Sequence, residues 1–203
     1  LARVAVFVDG FNVYHALERN PEFRKYKWLD YAVLARCYLR GGDTPEKVYL
    51  FTTLATWEPS EVARHHVYLH LLRRQGVEVV LGKFKMRDRR CLLCHQSYRS
   101  PEEKLTDVNI AVHLLRGAFL DEYDRAVLVK GDTDLLPAIQ AVQQTFPAKE
   151  VGVVIPIGNR SNDLIAQCNF RLRMKEEQLS CSQFPDEVDG PVLGKLRRPE
   201  TWR

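Results

Sequence analysis

Residues 3–8 read Arg-Val-Ala-Val-Phe-Val, a near-continuous apolar run of β-branched and aromatic side chains that stops at Asp9-Gly10. A strand with no polar face suits a sheet covered on both sides, as parallel sheets are. Further strands are expected over 47–53, 77–81 (with the option of continuing to Met86), 126–129, 150–155 and 170–174. Between them, helical spacing covers 12–19, 29–39, 59–75, 105–120, 135–145 and 161–168. Asn20-Pro21, Gly41-Gly42 and Gly76 close the first three helices, and Pro137 sits where a first helical turn tolerates it. Strands alternating with helices predict parallel β-α-β units, right-handed crossovers and helices on both faces of one sheet. Residues 87–103 are polar, basic and aperiodic and are read as the longest loop, a length that in compact domains often accompanies function.

The chain has 203 residues, enough for one α/β domain with a sizeable core. That domain is assigned to residues 1–179. Apolar periodicity is lost beyond Glu177, and Pro185, Gly190, Pro191, Gly194 and Pro199 predict an extended, flexible tail over 180–203. No apolar run approaches the roughly 18 residues of a membrane span, and the first residues are not a signal peptide. Five irregularly spaced cysteines do not make a secreted disulfide framework, so the reducing cytoplasm is the expected compartment.

In open parallel sheets ligands bind beyond the carboxyl ends of the strands. Two strands end there in acid: Asp9 after the first, and Asp132 with Asp134 after Ala-Val-Leu-Val-Lys-Gly. Asp107 opens a helix. Gly10 and Gly131 flank the strand-end acids and leave the backbone room to turn. Clustered carboxylates repel one another without a cation, and Mg²⁺ or Mn²⁺ held by a few carboxylates is what phosphodiester hydrolysis requires. Each acid also has a plain structural explanation: Asp9-Gly10 as a turn, Asp107 as a helix-dipole partner, Asp132 or Asp134 as a helix cap. The net charge is +4 and unevenly spread. Residues 83–99 carry six Lys/Arg against one Asp, and 195–203 carry four against one Glu. Basic segments around an acidic site suit a phosphodiester enzyme, although solvated segments have the same composition.

Three motifs occur in order: V-F-V-D-G-F-N (6–12), E-K-L-T-D-V-N (103–109) and V-K-G-D-T-D-L-L-P (129–137). Together, from about Val4 to Arg173, they resemble the NYN domain family, the LabA-like, DUF88-type branch of the PIN-like nucleases. The resemblance implies a Rossmann-like, three-layer α/β/α fold with a mainly parallel central sheet. It also implies a divalent-metal site and ribonuclease activity. By position, Asp9, Asp107 and Asp132 match the metal-binding acids, Asn12 the asparagine beside the first, and Asp134 the second acid of the third motif. Lys104 matches the lysine preceding the helix acid and is expected at phosphate, with Lys130 and the basic residues Lys85, Arg87, Arg89 and Arg90. The sequence departs from the family at Lys130, where serine is commoner, and at His113, where many members place another acid. It departs again at Asn169, in a segment that often carries Asp. His113 reads as a helix-face residue without a catalytic role.

Cys91-Leu-Leu-Cys94-His95 holds two thiols at zinc spacing, but a structural Zn²⁺ needs four ligands. Cys168, Cys181 or a second copy of the chain, as in a homodimer, would have to complete the set; a free thiol pair is the simpler reading. His65, His66 and His70 share a helix without an accompanying acid at metalloprotease spacing. Trp28, Tyr31, Trp57 and Phe84 can stack bases or pack a core. The reading that results is a Mg²⁺/Mn²⁺-dependent ribonuclease. Its rivals are an RNA-binding adaptor that kept the fold and lost catalysis, and an Asp9-nucleophile phosphatase, for which the usual D-x-D is missing because Phe11 stands two residues after Asp9.

Overall fold

The structure is a computed structural model that describes residues 1–55, 57–190 and 194–202. The chain opens with β1 (Arg3–Asp9), α1 (Gly10–Arg19), a 3-10 turn (Pro21–Tyr26), α2 (Tyr31–Arg36), β2 (Thr44–Thr52), α3 (Pro59–Arg74) and β3 (Val77–Leu81). A hairpin follows, β4 (Lys83–Arg90) and β5 (Ser97–Lys104), then α4 (Thr106–Phe119), β6 (Arg125–Val129), α5 (Leu136–Thr145) and β7 (Glu150–Ile155). The chain continues through α6 (Asn162–Gln167), β8 (Phe170–Arg173), α7 (Glu176–Cys181), β9 (Glu187–Gly190), β10 (Gly194–Arg197) and a turn at Glu200–Trp202.

The main sheet has six strands in the order β3-β2-β1-β6-β7-β8, and every neighbouring pair is parallel. Alternation along β1 divides the core. Val4, Val6 and Val8 face one layer, with Val13 and Leu17 of α1, Leu34 of α2, Leu69 and Leu72 of α3 and Leu179 of α7. Ala5 and Phe7 face the other, with Ile110 and Leu114 of α4, Ile139 and Val142 of α5 and Leu164 of α6. Period-two strands buried on both faces produce this three-layer arrangement, and they are why the strand runs contain almost no polar residues. No helix among the described residues is long and apolar enough to cross a membrane.

Three expectations are corrected. The segment 87–103 is not a loop: Lys83 pairs with Lys104 and Arg90 with Ser97 in an antiparallel ladder. The chain leaves the main sheet after Leu81, so β3 does not continue to Met86. The described residues of the segment 180–203 fold back onto the domain rather than running extended. Residues 182–184 hydrogen-bond along residues 28–30, β9 pairs with β10, and Trp202 packs 5.9 Å from Trp28 and 5.4 Å from Tyr68. Trp28 is fully buried and donates its indole N–H to the Pro185 carbonyl at 3.0 Å. Pro191 lies outside the described residues.

Helix α1 begins in close contact with β2. A Cβ on Gly10 would stand 2.8 Å from the Phe51 carbonyl oxygen, a backbone atom that cannot swing away. Gly10→Ala is expected to destabilise the protein by about 2 kcal/mol, read as a lowered midpoint in urea unfolding with an unchanged slope.

Candidate active site

In the main sheet the chain steps from β1 to β2 to β3 in one direction and from β6 to β7 to β8 in the other. The order reverses between β1 and β6, so the crevice of a parallel sheet opens at their carboxyl ends. Val8 pairs with Val129 in that register, and Asp9 and Lys130 therefore leave the sheet side by side. Leu105, just before α4, has φ +80°, a left-handed conformation unfavourable for leucine that costs on the order of 1–3 kcal/mol. It turns the chain into α4, whose first turn carries Asp107 to the same crevice.

At the centre stands the Lys130 ammonium. Its Nζ lies 2.7 Å from Asp9 Oδ2, 2.6 Å from Asp107 Oδ1 and 2.9 Å from Asp132 Oδ1. Lys130 is only 2% exposed. Asn12 ties the cluster from the other side, its Nδ2 donating to Asp9 Oδ2 and Asp132 Oδ2 at 2.8 Å each. Its Oδ1 accepts from the Gly131 N–H at 3.0 Å. Asp9 also caps α1, accepting from the Asn12 backbone N–H at 2.9 Å. A Cβ at 131 would fall 2.4 Å from the Asn159 amide nitrogen, so the Asn159 side chain would have to move aside. Gly131 thus serves close approach rather than an unusual backbone angle, as Gly10 does.

Burial alone would lower the Lys130 pKa, but the Asp9 charge and hydrogen bonds to Asp107, Asp9 and Asp132 outweigh it and raise it. Burial alone would raise the Asp132 carboxyl, yet hydrogen bonds from Lys130 and Asn12 hold it below the usual carboxylate range. One ammonium against three carboxylates leaves the cluster formally negative by two charges. The donor set suits a hard divalent cation in type. The central position does not fit one while Lys130 fills it, and among the described residues no three His, Cys, Asp or Glu side chains form a ready metal group. The Asp107 and Asp132 side chains are nearly half exposed on the outer side, and there the residual charge and donor type do fit one divalent ion.

A family model described as the NYN domain matches residues 3–173. The chain belongs to the NYN domain family. NYN domains fall within the PIN-like nuclease superfamily. The chain is 26% identical, over 98% of its length and 75% of the relative's, to a protein of Pseudomonas putida named 6-hydroxy-3-succinoylpyridine 3-monooxygenase HspA. Among solved structures it resembles VPA0982 of Vibrio parahaemolyticus, a protein of unknown function. The TM-score is 0.62 at 22% identity, covering 87% of this chain and 94% of the other, which shows a shared fold.

The remaining expected residues of this NYN chain fall in several places. Asp134 is exposed, and only its backbone N–H reaches the cluster, at Asp132 Oδ1 (3.3 Å). Neither Asp132 nor Asp134 caps α5, whose N-cap is Leu135. Lys130, expected at phosphate, is buried among the carboxylates instead. Side chains alternate along β4, so Lys83, Lys85, Arg87 and Arg89 share one face of the hairpin, and Phe84 and Arg90 the other. Arg87 and Lys104 both pair with Glu102 on that basic face, at 2.8 and 3.0 Å. The opposite face carries Phe84, Pro101 and Glu103 and lines the acidic cleft. The basic ladder therefore points away from the carboxylates, while Arg90 donates to the His95 carbonyl. The arginine side chains that do line the cleft, a cavity of about 680 Å³, are Arg19 and Arg160, with His15 beside them.

His113 donates from Nδ1 to the Asn109 carbonyl (2.8 Å) and packs against Tyr49 and Phe51, away from the cluster. Asn169 Oδ1 accepts from the Val151 N–H at the start of β7, the opposite edge of the sheet. Cys91 and Cys94 sit at the hairpin tip, where N–H groups of Cys94 and Leu93 lower the Cys91 pKa. Cys168 packs on the α5–α6 layer, and Cys181 lies beside Cys37, so neither stands with that pair. Glu103 was given no role by sequence. It bonds Thr106 and Thr53, and burial together with the Asp9 and Asp107 charges raises its pKa. Its place in the second motif was the available signal.

A second cavity of about 420 Å³ shares Phe11 and Phe84 with the cleft. It is walled by aromatic rings.

Removing the ammonium leaves buried Asp9 uncompensated. Lys130→Met is expected to lower stability by about 3–5 kcal/mol, measured by urea unfolding near neutral pH. The Asp132 contribution is present above the ordinary carboxylate pKa of about 3.9 and is lost as pH falls through its depressed folded value. The gap between the two proteins is therefore expected to narrow on acidification.

Proposed function

We propose that this chain is a ribonuclease that hydrolyses RNA phosphodiester bonds at the Asp9–Asp107–Asp132 centre, with Mg²⁺ or Mn²⁺ as cofactor. The observation that carries this reading is the convergence of carboxylates from β1, β6 and α4 at the sheet's switch point, still negative after Lys130 is counted. A divalent ion held by the outer oxygens of Asp107 and Asp132 would supply charge neutralisation at phosphate and a more acidic bound water. Lys130 and Asn12 hold the carboxylates in place. Arg19 and Arg160 meet the phosphate backbone in the cleft, and the basic face of the hairpin attracts RNA beyond it.

The specific observation favouring an adaptor is the ammonium at the centre of the cluster. Calorimetric titration separates the two: no Mn²⁺ binding together with intact RNA affinity selects the adaptor. The name of the Pseudomonas relative suggests a third reading, action on a small heteroaromatic substrate, with which the aromatic-walled cavity accords. Product analysis after incubating the chain with that pyridine, a reductant and oxygen tests it.

For the preferred reading, Asp9→Asn and Asp132→Asn are expected to bring Mn²⁺-dependent cleavage of single-stranded RNA to background while circular dichroism shows the fold retained. Undiminished cleavage by the purified double variant would refute it.

A further inference from the structure

Native interiors are close-packed, and a cavity of about 420 Å³ is of ligand size rather than a packing fault. This one is built by stretches far apart in sequence: Phe11 and Tyr14 of α1, Tyr31 of α2, Tyr68 of α3, Phe84 of the hairpin and Trp202. The rings brace one another. Phe11 and Phe84 meet edge-on at 5.5 Å, and Tyr68 and Trp202 at 5.4 Å. Phe11 and Phe84 meet their ring neighbours edge-on or tilted, which leaves their faces to a planar guest, whereas Tyr68 already stacks with Trp28 and His65.

Polar and charged groups lie among the walls, with the two carboxylates each paired to a cation, Glu18 to Lys27 and Glu61 to Arg64. Thr52 and Thr53 stand at the carboxyl end of β2. His65 is kept neutral at ordinary pH, its pKa pushed down to about 4 by burial and the His66 charge. Arg64, 42% exposed, is held only loosely by Glu61 at 3.8 Å and offers an anion contact on the solvent side. Phe11 and Phe84 are common to this chamber and the acidic cleft, and Gly10, also in its wall, directly follows Asp9. A ring seated here has its substituent chain beside the carboxylates.

We infer that the chamber is a binding site for a planar heteroaromatic ring carrying an anionic arm, namely a nucleobase of the RNA strand next to the phosphate in the acidic cleft. The placement of that phosphate rests on the hydrolase reading above; the ring site itself does not. Stacking on aromatic faces accepts any base, and the threonine hydroxyls and His65 meet the ring's polar edge.

Calorimetry on the full chain tests it, with adenosine 5′-monophosphate, uridine 5′-monophosphate, ribose 5-phosphate and nicotinate as probes. The mononucleotides are expected to bind at least about 10-fold more tightly than ribose 5-phosphate, the scale of one stacking contact. Phe84→Ala and Trp202→Ala are each expected to weaken mononucleotide binding by about 10-fold, and Phe84→Tyr to restore it. Equal binding of ribose 5-phosphate, or no effect of either alanine variant, overturns the ring site. Binding of nicotinate without the mononucleotides overturns the nucleobase as its occupant in favour of a free heteroaromatic acid. Base-dependent binding by a chain that cleaves no RNA would refute the hydrolase reading and leave the chamber standing. Cleavage without base-dependent binding would do the reverse.

Discussion

The acidic centre depends on one buried ammonium. A lysine is almost never fully buried unless paired, and Lys130 is paired three times over. Taking its charge out of water is unfavourable, and so is leaving Asp9 there alone; each makes the other tolerable. That mutual dependence fixes the ends of β1 and β6 and the start of α4 relative to one another, because all three must deliver a carboxylate or the ammonium to one point. Asn12 completes the arrangement by donating one amide hydrogen each to Asp9 and Asp132.

The fold makes this meeting inexpensive in conformational terms. Parallel pairing places two strand ends in adjacent positions with no loop needed to bring them together. Only Asp107 must be delivered from elsewhere, and the strained backbone at Leu105 marks where the chain turns to do so. Strain concentrated at one residue before a helix can persist only if the surroundings over-determine it, and the contacts of Asp107 with Lys130 and of Thr106 with Glu103 do that.

The six main strands and the principal helices were legible because both faces of the sheet are covered and the apolar runs are nearly unbroken. The hairpin was not legible. In Lys-Phe-Lys-Met-Arg-Asp-Arg-Arg one face is charged and the other lines a polar cleft, so no apolar alternation marks the strand. The tail escaped for a different reason: Phe184, Leu196 and Trp202 each reach the core from a separate stretch, at irregular spacing. In the site, Asp9 and Asp132 could be placed from strand ends alone, whereas Asp107 needed the family pattern. Lys130 was visible as a departure from that pattern, but not its burial, since a lysine after a strand ordinarily reaches solvent. The six aromatic walls of the chamber span almost the whole chain, and nothing local in the sequence groups them.

The hairpin has a further consequence. Its two faces do unlike things: Phe84 and Glu103 line cavities, while Lys85, Arg87 and Lys104 face solvent on the other side. Strand side chains repeat every second residue, so slipping the register by one exchanges the two faces entirely. A single-residue insertion or deletion between Leu81 and Phe84 would turn the lysines into the acidic cleft and the phenylalanine out to water. Exchanging one basic residue for another along the outer face would leave that division of faces unchanged. Length, more than composition, is what this stretch of chain has to keep.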